Sequence, residues 1–290
     1  MEREVTKRMK QIPKAARVAK PRKTLADTMS TVEMAAHRRR NGIVLLPLGC
    51  VEMHGVSVGL ACDSFAAEAA CRVLAEAWDA VVLPTIHYTY AGATSRWAGS
   101  VSILPTETVA QIVMITKSIL RNGFKRVVLV NLHGPSDLAV KLAIRTVFEE
   151  TGGMPILFTP DYDGEFCGRV LKEWSQPHNE AALYLASLYI CGRHGEFDPE
   201  SEGAGAVGRT YPMESLRTLA KHGVAAPLYY GRPEDHVGLY RGLKLEDAPR
   251  VAKIYREVIL ERAKGLPEDY ERYQKDLRRM IKRAPWDHYE

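Results

Sequence analysis

The chain has no apolar run longer than a strand, so no membrane-spanning helix is expected. Cysteine is scarce: five in 290 residues, at 50, 62, 71, 167 and 191, an odd count with no CxxC pair. That argues against a disulfide framework and fits a reducing, cytoplasmic setting. The N-terminus is charged from residue 2 and lacks the apolar stretch of a secretory signal. No P-loop, internal repeat or low-complexity segment occurs, and nucleotide-binding and serine-hydrolase readings find no support.

What is present is ordinary for a soluble globular protein, with 46% hydrophobic and 26% charged residues. The length allows a sizeable core in one or two domains. The net charge of +5 is unevenly placed. Residues 1–40 carry twelve Lys/Arg and four Asp/Glu, +8, which leaves −3 for the rest. The basic arm, residues 1–23, has no aromatic residue to stack on a base. A solvated or oligomer-packing arm is favoured over a nucleic-acid grip.

Short continuous apolar runs over 43–48 and 126–131 read as parallel strands buried on both faces. Residues 80–84 and 155–159 read as further strands, and SVSIL at 100–104 as a possible one. Helical patterns cover 31–40, 64–78, 106–122, 136–150, 180–190 and 245–264. A charged tail, helical in part, fills 265–290. This alternation predicts a three-layer α/β/α sandwich with a mostly parallel sheet over residues 24–264. Such sheets bind ligands beyond the carboxyl ends of their strands.

Chemistry gathers at two of those ends. Residues 49–63 read GCVEMHGVSVGLACD. Glu52 and His54 are two apart, so on an extended segment they share a face. Asp63, at a helix start, can turn back toward them. Imidazole with carboxylates suits zinc, manganese or iron and does not suit calcium. The same three residues also read as an N-capping Asp63, a surface Glu52 and a hydrogen-bonded His54. NLHGPSD at 131–137 weighs against that alternative. It places a second histidine, His133, directly after a buried strand.

LPLGCVEMHGVSVGLACDSFAAE resembles the creatininase family signature, roughly LPxGSxEQHGPHLPxxTDxxxAE. VVLVNLHG resembles that family's strand ending in NGHG, and YAGATSRWAGSVSIL its Tyr-Gly loop. HVGLYRGLKLEDAPRVAKIY resembles its late glycine turn and closing helix. The resemblance spans about residues 24–264 and implies a three-layer fold, homo-oligomers (hexamers among them) and a two-metal site. It implies that Glu52, Asp63 and His133 hold one divalent ion and that His54 and Asp63 hold the other, with Asp63 as bridge. Zinc comes first, with manganese or iron as alternatives.

The departures bear on substrate. The second histidine of HGPH is Ser57, and the acid expected two residues after His133 is Pro135. Against the family's HAGExETS block the chain offers PHNEAALYLASLY. There Glu180 is the candidate for the missing ligand, and His178 with Glu180 for proton transfer to the leaving group. Glu180 also reads as a helix-start acid favoured by the dipole. Tyr88, Tyr90, Thr94, Ser95 and Arg96 are candidate substrate contacts, and Trp174 is a candidate flap or a packed core residue. Asp161, Asp163 and Glu165 read as a solvated loop, and RHGEFD at 193–198 as part of a polar insert. Cys50 and Cys62 read as core fillers. Asp235 and His236 are linked to the metal residues only by preceding the late glycine turn.

The expected function is metal-dependent hydrolysis of a small polar substrate at a carbonyl, breaking a cyclic amide or formamide C–N bond. Two alternatives stay open. One is C–C hydrolysis of a cyclic polyol diketone, of the 3-dehydro-scyllo-inosose hydrolase type in inositol catabolism. The other is a catalytically silent oligomeric scaffold.

Overall fold

The computed structural model describes residues 23–55, 58–160, 162–174, 179–198, 213–236 and 243–282. Four strands form one parallel sheet: β1 (Ile43–Leu48), β2 (Val81–Val82), β3 (Arg126–Asn131) and β4 (Ile156–Phe158), in the order β2-β1-β3-β4. Register is complete between the central pair, from Ile43 beside Arg126 to Leu48 beside Asn131. All six residues of β1 are buried, as a strand covered on both faces requires.

The two faces follow the period of two. Ile43, Leu45, Val128 and Val130 join one core, while Val44, Leu46, Val127 and Leu129 join the other. On the first face pack α2 (Cys62–Trp78), α6 (Asn179–Ile190) and α8 (Ala248–Arg262). On the second pack α3 (Pro105–Arg121) and α4 (Asp137–Thr151). The expected α/β/α layering is therefore present. The remaining α-helices among the described residues are α1 (Thr31–Arg40), α5 (Cys167–Glu173), α7 (Glu214–Lys221) and α9 (Leu266–Ile281).

Local chemistry explains the ends. Ser30 and Glu33 close a reciprocal capping box on α1. Pro105 opens α3, where a missing N–H costs nothing. Gly152 ends α4 at φ 66°, a left-handed position glycine occupies freely.

Three expectations need correcting. β2 is only two residues long: after Leu83 N donates to Leu45 O, the next bond to β1 comes from Ile86 N to Pro47 O, one residue out of strand step. Residues 101–104 are not a strand; Val101 and Ile103 donate instead to Val51 and Thr89 of neighbouring loops. Asp63 does not cap α2: the cap position is Ala61, and Asp63 lies inside the first turn. The C-terminal helix α9 is docked, since Tyr270 is buried in the first core.

Candidate metal centre

β1 delivers the centre because its end runs hard against α2. A Cβ on Gly49 would lie 2.4 Å from the Ser64 backbone, so only glycine permits the approach. The segment that follows is laced on both sides. Thr89 Oγ1 donates to the Gly49 carbonyl at 2.8 Å, and Ser64 Oγ to the Cys50 carbonyl at 3.1 Å. Glu52 N donates to Leu60 O at 2.9 Å, and Met53 N to Ser100 Oγ at 2.9 Å. Glu52 and His54 are thereby held beside Asp63 in the first turn of α2.

All the predicted ligands are inside: Glu52 is 4% exposed, His54 2%, Asp63 8%, His133 1% and Glu180 7%. A surface Glu52 is thus excluded. His54 Nε2 lies 3.3 Å from Asp63 Oδ1, and His133 Nε2 lies 3.4 Å from Glu52 Oε1. Two atoms each about 2.0–2.2 Å from one tetrahedral zinc ion are roughly 3.3–3.6 Å apart. These pairs therefore have the spacing of ligands facing one ion.

The hydrogen bonds point the same way. His133 Nδ1 lies 2.7 Å from Ser136 Oγ and 3.4 Å from Thr89 Oγ1. With Nδ1–H donated to Ser136, the Nε2 lone pair faces inward, and Nε2 has no hydrogen-bond partner. Asp63 Oδ2 is buried without a partner as well. Buried polar atoms left open beside carboxylates and imidazoles are what a cation site presents. Thr94 donates to Glu52 Oε2 and fixes that carboxylate. Thr94, buried and bonded to Glu52, is therefore a support for the centre.

Charge is arranged in opposition. Burial alone would lower the His54 pKa, but Asp63 above all, with Glu180 and Glu52, pushes it up to about 10. Burial would raise the Glu52 carboxyl, yet His133 and His236 hold it well below the usual carboxylate range. Burial, with Glu52 beside it, pushes Cys50 up to about 12. Glu180 sits in the first turn of α6, whose start is tied to α2 by Cys62 Sγ, 3.7 Å from the Glu180 carbonyl.

Among the described residues, two triplets bring their donor atoms within 4.8 Å: Cys50–Glu52–His133 and Glu52–His54–His236. Glu52 is common to both. His236 was not in the predicted ligand set. It comes from a loop far along the chain, and no spacing in the sequence announces it. Its neighbour Asp235 is bound to Arg232 at 2.8 Å.

Other sequence candidates fall elsewhere. Trp174 is packed in the core with the Arg250 guanidinium over its ring. Glu165 pairs with Arg169 at 2.7 Å on the surface, and Arg193 pairs with Glu196 at 2.6 Å. Arg96 lies over the Tyr229 ring, 4.3 Å from its centroid. His178, Ser57 and Asp161 lie outside the described residues. Two motifs do occur by letter, GVSVG at 55–59 and GAGAVG at 203–208. The first falls in the long connection between β1 and α2, and its serine is outside the described residues. The second lies outside the described residues.

A family model described as creatinine amidohydrolase matches residues 27–197, which carry both strand ends and all five predicted ligands. The chain belongs to the creatininase family. A creatinine amidohydrolase from Pseudomonas putida is 27% identical over 112 residues, 36% of this chain. That match spans 43% of the relative's length. A creatininase crystal structure superposes with a TM-score of 0.63 at 20% identity, covering 85% of this chain and 98% of that one. A mutant creatininase of Zn-Zn type does so at 0.59 and 16%, covering 84% and 98%. At these identities the structures speak for the creatininase fold. No helix among the described residues is long and apolar enough to cross a membrane.

Proposed function

We propose that the protein is a metal-dependent hydrolase acting on a small polar substrate at a carbonyl carbon, with a cyclic amide or formamide C–N bond as the one broken. The observation that carries this reading is the buried set Glu52, His54, Asp63 and His133, paired at 3.3 and 3.4 Å. Glu52 and His133 would hold one divalent ion, and His54 and Asp63 the other, with Asp63 the proposed bridge. When bound, such ions make water nucleophilic near neutral pH and polarise a carbonyl.

The chain's own groups do the rest. Ser136 holds His133 in the tautomer that turns Nε2 inward. Thr94 fixes Glu52. Glu180, buried at the start of α6, takes a proton from the attacking water and returns it to the leaving group, a role proposed also for His178. Half-buried Tyr90 and exposed Tyr88 border the same loop and would orient a polar ring. A second reading, C–C hydrolysis of a cyclic polyol diketone, draws on Pro135, which puts no donor in the turn after His133.

Metal content per chain, measured by plasma mass spectrometry after loading with zinc or manganese, tests the centre. Turnover of creatinine, formamides and 3-dehydro-scyllo-inosose then separates the substrates. Two ions with C–N cleavage support the proposal, and diketone cleavage alone moves it to the second reading. A chain that binds no ion and turns over none of these is a silent scaffold. Light scattering on the same preparation tests the homo-oligomer that the family resemblance implies.

A further inference from the structure

His236 is 6% exposed, and its Nδ1 is buried with no hydrogen-bond partner. Its ring is stacked on Tyr230, with centroids 4.9 Å apart and planes 2° from parallel. The other neighbouring ring is His54, at 5.5 Å and 29°. Nε2 lies 3.8 Å from Glu52 Oε1, too long for a hydrogen bond and close to the separation of two ligands on one ion. The donor atoms of Glu52, His54 and His236 all fall within 4.8 Å of one another. A buried imidazole that turns Nε2 toward a carboxylate, lies beside a second imidazole and leaves Nδ1 without a partner has no packing reason to be histidine.

The segment carrying it is built to present it. Arg232 N donates to Asp235 Oδ2 at 3.1 Å and closes the turn before His236. Tyr230 N donates to Ala93 O at 3.2 Å, and Trp97 Nε1 to Tyr230 O at 3.2 Å. The segment is thus docked on the loop that also carries Thr94.

We propose that His236 is a metal ligand on the ion assigned above to His54 and Asp63, with Glu52 reaching the same ion from the His133 side, and that this ion pins residues 224–236 across the centre. The inference rests on the hydrolase reading above. Two imidazoles with carboxylates form a ligand set that suits zinc. His236 would come from a separate loop, so binding the ion and closing that loop become one event.

The test compares wild type, His236→Ala and His236→Gln with His222→Ala, an exposed histidine in the same region. Zinc affinity is read by competition with a chelator, and hydrogen exchange of residues 224–236 is followed with and without zinc. We expect affinity at one site to fall more than about 100-fold in both His236 variants, beyond what loss of a supporting hydrogen bond costs. Zinc should slow exchange in wild type and His222→Ala and leave it unchanged in the His236 variants. Cooperative melting of each chelated variant near the chelated wild type shows that the loss is not misfolding. Wild-type affinity in the His236 variants overturns the inference and leaves the hydrolase reading standing. A wild type that binds neither zinc nor manganese overturns both.

Discussion

The two edges of the central strands treat buried polar groups in opposite ways. At the amino edge His37 is 2% exposed, and its Nε2 donates to the Ile43 carbonyl at 2.9 Å. Tyr270 is 3% exposed; its hydroxyl accepts from Val127 N at 3.2 Å and donates to the Met154 carbonyl at 2.6 Å. Each group there has found its partner within the protein. At the carboxyl edge Asp63 Oδ2, His133 Nε2 and His236 Nδ1 are equally buried and have none. Burial of a histidine is therefore no sign of function. What marks function is an open ligand atom facing an acid.

The sharpest way to break this contrast is Asp63→Ala. We expect at least one ion to be lost and turnover to fall by more than the about 10–100-fold that a supporting contact costs. Plasma mass spectrometry and steady-state rates read it, and an active, fully loaded variant would end the scheme. Ser136→Ala should be milder, weakening zinc binding by about 10–100-fold as His133 loses its orienting partner. Unchanged affinity in a chelator titration would show that the ring is held by packing alone.

At the other edge the currency is stability. Tyr270→Phe strands the Met154 carbonyl and should cost about 1–3 kcal/mol, with metal content untouched. Denaturant unfolding beside metal analysis checks both halves, and a metal loss there would erase the distinction between the edges. The smallest effect belongs to His37, whose pKa is lowered by burial from an ordinary 6.5. The folded state resists the proton that the unfolded chain accepts. His37 thus contributes stability present above about pH 6.5 and lost as pH falls through that value. His37→Gln should show a shallower loss of melting temperature between about pH 7 and pH 5.5. Identical slopes would acquit His37.

Much of the fold was legible because its signals are local. β1 and β3 are continuous apolar runs whose ends coincide with the change to polar residues, and the predicted and observed spans agree. The same strand ends carried Glu52, His54 and His133. The edge strands were overread, since their length depends on neighbours more than on apolar content. Asp63 was placed rightly beside the site but wrongly as a cap, because the turn at 59–62 begins the helix before it. His236 was missed for a stronger reason. Its partners stand far away in sequence, and only the docking of residue 230 on residue 93 brings them together. The bond from Thr94 to Glu52 was hidden likewise, since a loop threonine shows nothing of whether it faces inward.

The close approach at Gly49 has a consequence for how this protein can vary. That residue has no side chain to offer an ion, yet any Cβ there would press on Ser64 and part β1 from α2. The two halves of the centre arrive on those two elements. Mutational tolerance at position 49 should therefore be as narrow as at Glu52 itself, and a library sorted for metal content should keep glycine at 49 alongside the ligands.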